Sequence, residues 1–445
     1  MKRYETYKDS GIQWVGEIPS HWDIVKTSYL FDDIGSGTTP NTNDDSLYDT
    51  DNGINWLQTG DLNDGHITKT SKKISQKAIE ENSTLRLYPI NSLVIALYGA
   101  TIGKVGVLDI ETTTNQACCV LPPSDKVSTD FAYYIFIASK EALLNLASGG
   151  GQPNISQAII KNHRIPYPLY AEQQVIAAYL DHKVGQIDAT IAEKEQMLED
   201  LKNYRSTIIS EAVTKGLDKT VEMKNSGVDW IGMMPKHWVT KRLKFVSDNF
   251  DGTHYSPETK ENGKPYVTAA DIRGKGIDYA STKKISQKDY NRLVEQGCKI
   301  ENNDVLLVKD GATTGRIGLM IDSEECVALS SVAMLRPKEG IYPLFLMYCM
   351  MSNAMQTQIT NSMAGSAMPR ITLTKLNEFV VCVPHLDEQR KIAVFVDGKV
   401  EKINRTIDEI NIQIDALKSY KSALIMEAVT GKIDLREWEP KEENV

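Results

Sequence analysis

Cysteine is scarce: six residues among 445, none in a Cys-x-x-Cys pair and none with a His at zinc-ligand spacing. That leaves no disulfide framework and no structural zinc site to read. The expectation for Cys118, Cys119, Cys298, Cys326, Cys349 and Cys382 is a reduced, buried thiol. Long apolar runs are missing too, and nothing approaches the ~20 residues that span a bilayer. The opening MKRYETYKDSGIQW has no apolar signal core, so the expected location is the cytoplasm, with no membrane partner. Positive charge is not in excess either. Fifty Lys+Arg against 59 Asp+Glu give a net charge of −9, which on bulk charge alone argues against a strongly basic nucleic-acid binder.

Catalytic motifs are equally thin. Gly99-Ala-Thr-Ile-Gly103-Lys104 is one residue short of a phosphate loop between its glycines and lacks the Ser/Thr after Lys that would hold Mg²⁺. It reads instead as a tight strand-to-strand loop. Glu-x-Lys occurs at Glu222/Lys224, Glu258/Lys260 and Glu439/Lys441 with no repeated partner, and the one Pro-Pro, at 122–123, is followed by Ser. No nucleophile–His–acid set can be assembled from equivalent positions. His21 and His237 each sit beside Trp and read as packed rings with a satisfied nitrogen. No catalytic, cofactor-binding or metal-binding residue is expected.

What the chain does contain is one plan written twice. KDSGIQWVGEIPSHW from Lys8 returns as KNSGVDWIGMMPKHW from Lys224, a shift of 216 residues. At the same shift, 21 of 47 positions from Glu172 match those from Glu388, through the Glu-Ala-Val-Thr ends at 211–214 and 427–430. Between these anchors KKISQK occurs at 72–77 and 283–288, and Tyr98-Gly-Ala-Thr-Ile-Gly-Lys is echoed by Asp310-Gly-Ala-Thr-Thr-Gly-Arg. Ser148-Gly-Gly-Gly-Gln-Pro-Asn-Ile-Ser is echoed by Ala364-Gly-Ser-Ala-Met-Pro-Arg-Ile-Thr. So long a period makes this a duplicated multi-element unit, not a solenoid.

The stretches 171–215 and 387–431 carry a heptad stripe with charged flanks, the mark of long helices that pair. The expected pairing residues are Val184, Ile187, Ile191, Leu198 and Leu201 against Val400, Ile403, Ile407, Ile410, Ile414 and Leu417. Lys194, Arg205 and Lys421 interrupt the stripe, which suggests control of register. Asp387 is the expected N-cap of the second helix, and Gly431 lies just past its last turn. About 42 residues make a rod of roughly 60 Å. Because one apolar seam is unstable alone in water, the other copy is the expected partner.

Residues 23–170 and 239–386 read differently. Short β-prone runs such as SLVIALY (92–98) and DVLLVKDG (304–311) alternate with Gly, Asn, Asp and Thr, with helical stretches near 131–147 and 343–359. The expected class is α+β: two pseudo-symmetric halves, each a strand-rich head followed by a long helix, the helices pairing as an antiparallel coiled coil. The opening segment 1–22 is repeated as a linker, 216–238, and 432–445 reads as an acidic tail.

Chemistry in such heads points to binding. Residues 240–320 hold 14 Lys+Arg and 11 Asp+Glu, a local excess of positive charge. Lys69, Lys72, Lys73 and Lys77, matched in part by Lys283, Lys284 and Lys288, are candidates to grip phosphates. The loops add Tyr98, Thr101, Lys104, Gln152, Asn154 and Ser156 in the first head. In the second they add Thr253, His254, Arg273, Lys309, Thr313, Arg316, Arg370 and Thr372, some of which are suited to base edges.

The combination resembles the specificity subunit of Type I restriction-modification systems over essentially the whole chain. SGIQWVGEIPSHW and SGVDWIGMMPKHW, the Pro-x-x-x-Glu-Gln helix starts, the EAVT ends, INWLQTGDL (54–62), PYVTAADIRGKGID (265–278) and GSAMPRIT (365–372) carry the likeness. It implies two target-recognition domains, each reading half of a bipartite, asymmetric site in double-stranded DNA, with the rods setting the unread gap. It also implies a non-catalytic chain that docks two methyltransferase subunits, joined by restriction (translocase/nuclease) subunits. S-adenosylmethionine, ATP and Mg²⁺ would then serve those partners, with no cofactor on this chain. The alternative is a coiled-coil scaffold whose heads bind protein or glycan.

Overall fold

A computed structural model describes residues 2–49, 51–147, 153–321, 324–363 and 370–440. Two compact units divide the chain: Met1–Lys194 together with Ile412–Val445, and Glu195–Asn411. Each long helix, Tyr170–Lys215 and Leu386–Val429, therefore contributes one half to each unit. No described helix is long and apolar enough to cross a membrane.

In the first unit Tyr7–Asp9 pairs with Glu17–Pro19, and Asp23–Lys26 with Arg164–Tyr167, both antiparallel. A four-stranded sheet runs in the order Cys118–Leu121, Leu93–Ala96, Val105–Leu108, Gly65–Ile67. Every residue of its central strand is buried, because the sheet is covered on both faces. Leu57, Leu62, Ile67, Val94 and Val120 fill one side. A second sheet joins Lys72–Ile74, Ile54–Leu57 and Thr113–Thr114. The helix Thr129–Ala138 starts at Ser128, whose hydroxyl accepts from the Phe131 N–H.

The second unit repeats this plan. Met223–Asn225 pairs with Met233–Pro235, and Val239–Arg242 with Val380–Val383. One sheet runs Ser247–Asp251, Val332–Pro337, Val305–Val308, Ile317–Leu319. The other runs Thr259–Lys260, Lys283–Ile285, Lys264–Val267, Val327–Ala328. The helices expected near 131–147 and 343–359 are each broken in two, at Ser139 and Ser352.

The rods run antiparallel within each unit. In the first, Lys421 is 2.6 Å from the Asp188 carboxylate and Lys194 donates to Gln413 at 2.6 Å, so partners descend along one rod as they climb the other. In the second, Arg205 donates to Asn404 at 2.6 Å. The three polar interruptions of the stripe are thus each matched by a polar side chain on the opposite rod. Val184, Ile187, Ile191 and Ile414 are buried in the first unit, and Leu198, Val400, Ile403 and Ile410 in the second. Leu201, Ile407 and Leu417 are half-buried.

One expectation needs correction. Asp387 lies inside the first helical turn, where its charge meets the helix dipole, instead of capping it. The first residues of the acidic stretch pack onto the first unit. Ile433 and Leu435 are buried, the Asp434 N–H donates to Lys2 O, and Trp438 packs edge-on against Tyr179 with ring centroids 5.3 Å apart. Apolar residues spaced among the acidic ones hold it down. All six cysteines are free and buried, and burial pushes the Cys326 thiol up to about 11.

Candidate nucleic-acid interface

Each head is fastened to its rod by the repeated motif residues. Gln173 is fully buried; its side-chain N–H donates to Pro168 O and its oxygen accepts from the Ser128 N–H, both at 2.9 Å. Gln389 repeats this, donating to Pro384 O and Gly340 O at 3.0 Å and accepting from the Tyr342 N–H at 2.9 Å. The neighbouring glutamates reach the other way: Glu172 pairs with His21 at 3.1 Å and Glu388 with His237 at 3.0 Å. The Tyr134 hydroxyl donates to Asp181 at 2.8 Å and Tyr348 to Asp397 at 2.7 Å, and burial followed by that bond raises both phenol pKa values. The Glu-Gln pair is thus a two-way clamp. Its sequence signal is the recurrence of Gln173/Gln389 and Asp181/Asp397 at the 216-residue shift.

On this frame each head presents one hairpin loop. Between Leu93–Ala96 and Val105–Leu108 the chain turns through Gly99 and Gly103, with φ of 88° and 74° that side-chain-bearing residues rarely adopt. Its counterpart turns through Gly311 (φ 87°) and Gly315 (φ 93°). The Gly103 N–H donates to Ala96 O at 2.9 Å, and the Gly315 N–H to Val308 O at 2.8 Å. Both loops bridge to the segment after the Gly-rich stretch: Tyr98 opposes Asn154 and Asp310 opposes Arg370, antiparallel in each case. The Ile155 N–H donates to Leu97 O and the Ile371 N–H to Lys309 O, both at 2.8 Å. Stretches 56 and 60 residues apart in sequence are so brought together, once in each head.

The remaining candidates fall into two groups. Lys72, Lys283, Lys284 and Lys288 are exposed on or beside the KKI strands, and Arg316 and Arg370 are exposed at the loop. Lys104 is half-buried there. Among the described residues none of these cations has an ion-pair partner. Lys69 is exposed likewise, Tyr98 and Thr313 are half-buried, and Asn154 is exposed. Gln152 lies outside the described residues.

Others are held within the protein. Lys309 is a correction: its side chain is 2% exposed and its ammonium sits 2.8 Å from Asp251, so its charge is satisfied internally. Ser156 and Thr372 cap short helices, accepting from the Ile159 and Lys375 N–H groups. Thr253 is buried and accepts from the Tyr255 N–H, and the Thr101 hydroxyl is buried. Arg273 donates to Ala270 O, Ile272 O and Asp278. Lys73 donates to Asp51 O, Lys77 lies 3.5 Å from Asp44, and His254 lies 3.8 Å from Asp251. Among the described residues no group of three or more His, Cys, Asp or Glu is placed to hold a metal ion.

Two matched heads, each clamped to paired rods and each leaving cations open at equivalent places, define a duplicated two-headed scaffold. The chain belongs to the Type I restriction modification DNA specificity domain family, whose model matches residues 19–202 and again 235–416. It is 25% identical to the Type I restriction enzyme MjaIX specificity subunit of Methanocaldococcus jannaschii, over 98% of both chains. It is 23% identical to the EcoBI specificity subunit of Escherichia coli, over 78% of this chain and 74% of that one. Its fold is similar to a chain from a structure concerned with complex assembly and conformational transition of the type I R-M system: TM-score 0.69, 15% identity, 94% and 99% coverage. The HsdS subunit from Thermoanaerobacter tengcongensis matches at TM-score 0.50 and 17% identity, covering 94% of this chain and 98% of that one.

Proposed function

We propose that this chain is the DNA sequence-recognition subunit of a Type I restriction-modification complex, each head reading one half of a bipartite, asymmetric site. The observation that carries this is the pair of equivalences Lys72/Lys283 and Lys104/Arg316. Among the described residues the strand and the loop of both heads keep a cation without an ion-pair partner, as Lys284, Lys288 and Arg370 also do, whereas Lys77, Arg273 and Lys309 are paired within the fold. Unpaired cations at equivalent positions suit a phosphate backbone, and base edges are then read by neighbouring polar side chains. The overall charge of −9 does not oppose this, because it is a sum over the chain while the field that guides DNA is local.

The rods act as the spacer between the half-sites and as the docking surface for two methyltransferase subunits, with restriction subunits added to that core. Methylation, ATP hydrolysis and cleavage, with their cofactors, belong to those partners. Mapping of methylated sites in DNA from cells that carry this chain with its partners tests the proposal. Exchanging residues 23–170 for another such head changes one half-site and leaves the other. A site unchanged in both halves would refute it, as would binding to protein or glycan without DNA.

A further inference from the structure

At one place the two heads differ in the chemistry they present from the same backbone geometry. Tyr98 opposes Asn154 in the first head and Asp310 opposes Arg370 in the second, each across an isolated antiparallel bridge. Residues directly opposed in this way point to the same side, with Cβ atoms about 5 Å apart. Arg370 and Asn154 are exposed, and Asp310 and Tyr98 are half-buried. Asp310 and Arg370 could close on each other, yet among the described residues neither has an ion-pair or side-chain hydrogen-bond partner. Elsewhere in this unit opposite charges in reach do close, as in Lys309–Asp251 at 2.8 Å and Arg336–Asp304 at 2.9 Å.

We propose that Asp310 and Arg370 together read a single G·C pair in the second half-site, and that Tyr98 and Asn154 read an A·T pair at the matching position of the first. The proposal rests on the DNA-reading function above. A carboxylate beside DNA is repelled by phosphates, so Asp310 weakens binding unless a base amine donates to it. Cytosine N4 is such an amine, and the partner guanine offers O6 and N7 to the guanidinium fork of Arg370. One opposed pair of side chains thus matches the two halves of one base pair. In the first head Asn154 has the donor and acceptor that fit adenine N6 and N7, and the Tyr98 ring provides an apolar surface for the thymine methyl.

The experiment uses the full chain assembled with its methyltransferase partners and a duplex library randomised across both half-sites, with methylated products sequenced. Asp310→Tyr combined with Arg370→Asn installs the first head's pair in the second. One position of the second half-site then shifts from G·C to A·T, by about tenfold or more in preference, with the first half-site and the gap unchanged. An unchanged second half-site, or an equal loss at every position, overturns the proposal. If the double variant yields no methylation, Arg370→Lys decides. It keeps the charge but loses the fork, so preference for guanine falls at one position only, and a uniform loss overturns the assignment. A wild-type complex that methylates no bipartite site would instead sink the DNA-reading function itself.

Discussion

In the first unit the stretch after the second rod turns back over the first, and Trp438 covers Tyr179, which is 3% exposed. In the second unit the equivalent rod face is bare: Val394 is 64% and Phe395 44% exposed, and a Cβ added at Gly398 would meet nothing. The cause lies in the covering segment, since Leu435 and Trp438 correspond to Lys219 and Glu222. The clamps behave oppositely. His–Glu, the buried Gln, the Tyr–Asp bond and the left-handed glycine after each rod are present in both units. Duplication has kept what closes a head onto its rod and has let the outward surfaces diverge.

The clamp offers the largest test of that contrast. Gln389→Ala strands three backbone groups, one in a buried bond and two in part-buried ones, and Gln173→Ala two in buried bonds, each worth roughly 1–3 kcal/mol when buried and left unsatisfied. The expected losses are about 4 and about 3 kcal/mol. Native-state hydrogen exchange should place the first loss at Pro343–Met351 and the second at Thr129–Ala138. Equal, global losses would show that the two clamps are not local devices.

A difference in acid response comes next. His163 is buried between Trp14, stacked at 5.8 Å, and Phe136, and burial lowers its pKa to about 4; its counterpart is Phe379. Between about 6.5 and 4 the unfolded state takes up a proton that the folded state refuses. Stability from this group is therefore complete above pH 6.5 and is lost as pH falls towards 4, by up to about 3 kcal/mol. His163→Phe, which copies the second unit, should flatten that part of the acid limb in chemical denaturation. An unchanged slope between pH 6.5 and 4 would count against the buried neutral imidazole.

The smallest effect belongs to the rods. Asp188–Lys421 in the first unit corresponds to Asn404–Arg205 in the second, an ion pair in one and a neutral acceptor in the other. Asp188→Asn makes the first pair like the second and should cost less than about 1 kcal/mol, because the Asp188 side chain is 50% exposed. A denaturation midpoint that moves further than this implies would give the ion pair more weight than the comparison allows.

The repeat, the rods and the hairpin loops were legible because each is written locally, in heptad spacing, in paired glycines and in direct identity. What was not legible depends on partners far along the chain. Lys309 has the look of a loop cation, and only Asp251, 58 residues away, turns it inward. Ser156 and Thr372 are equally plausible as base contacts or helix caps until the following N–H groups are placed. Sequence order also suggests that each rod belongs to its own half. The antiparallel pairing instead builds Ile209, Ala212 and Val213, from the end of the first rod, into the core around Trp238.

The central claim is that the heads are two readers on one plan, each assigning its own half-site. It is tested most directly by a chain carrying residues 23–170 in place of 239–386 as well, assembled with its methyltransferase partners, and by mapping the sites it methylates. The account predicts a site made of two copies of the first half-site, with the gap of the wild-type chain. A retained second half-site, or recognition by one head alone with no change when the other is replaced, would contradict it.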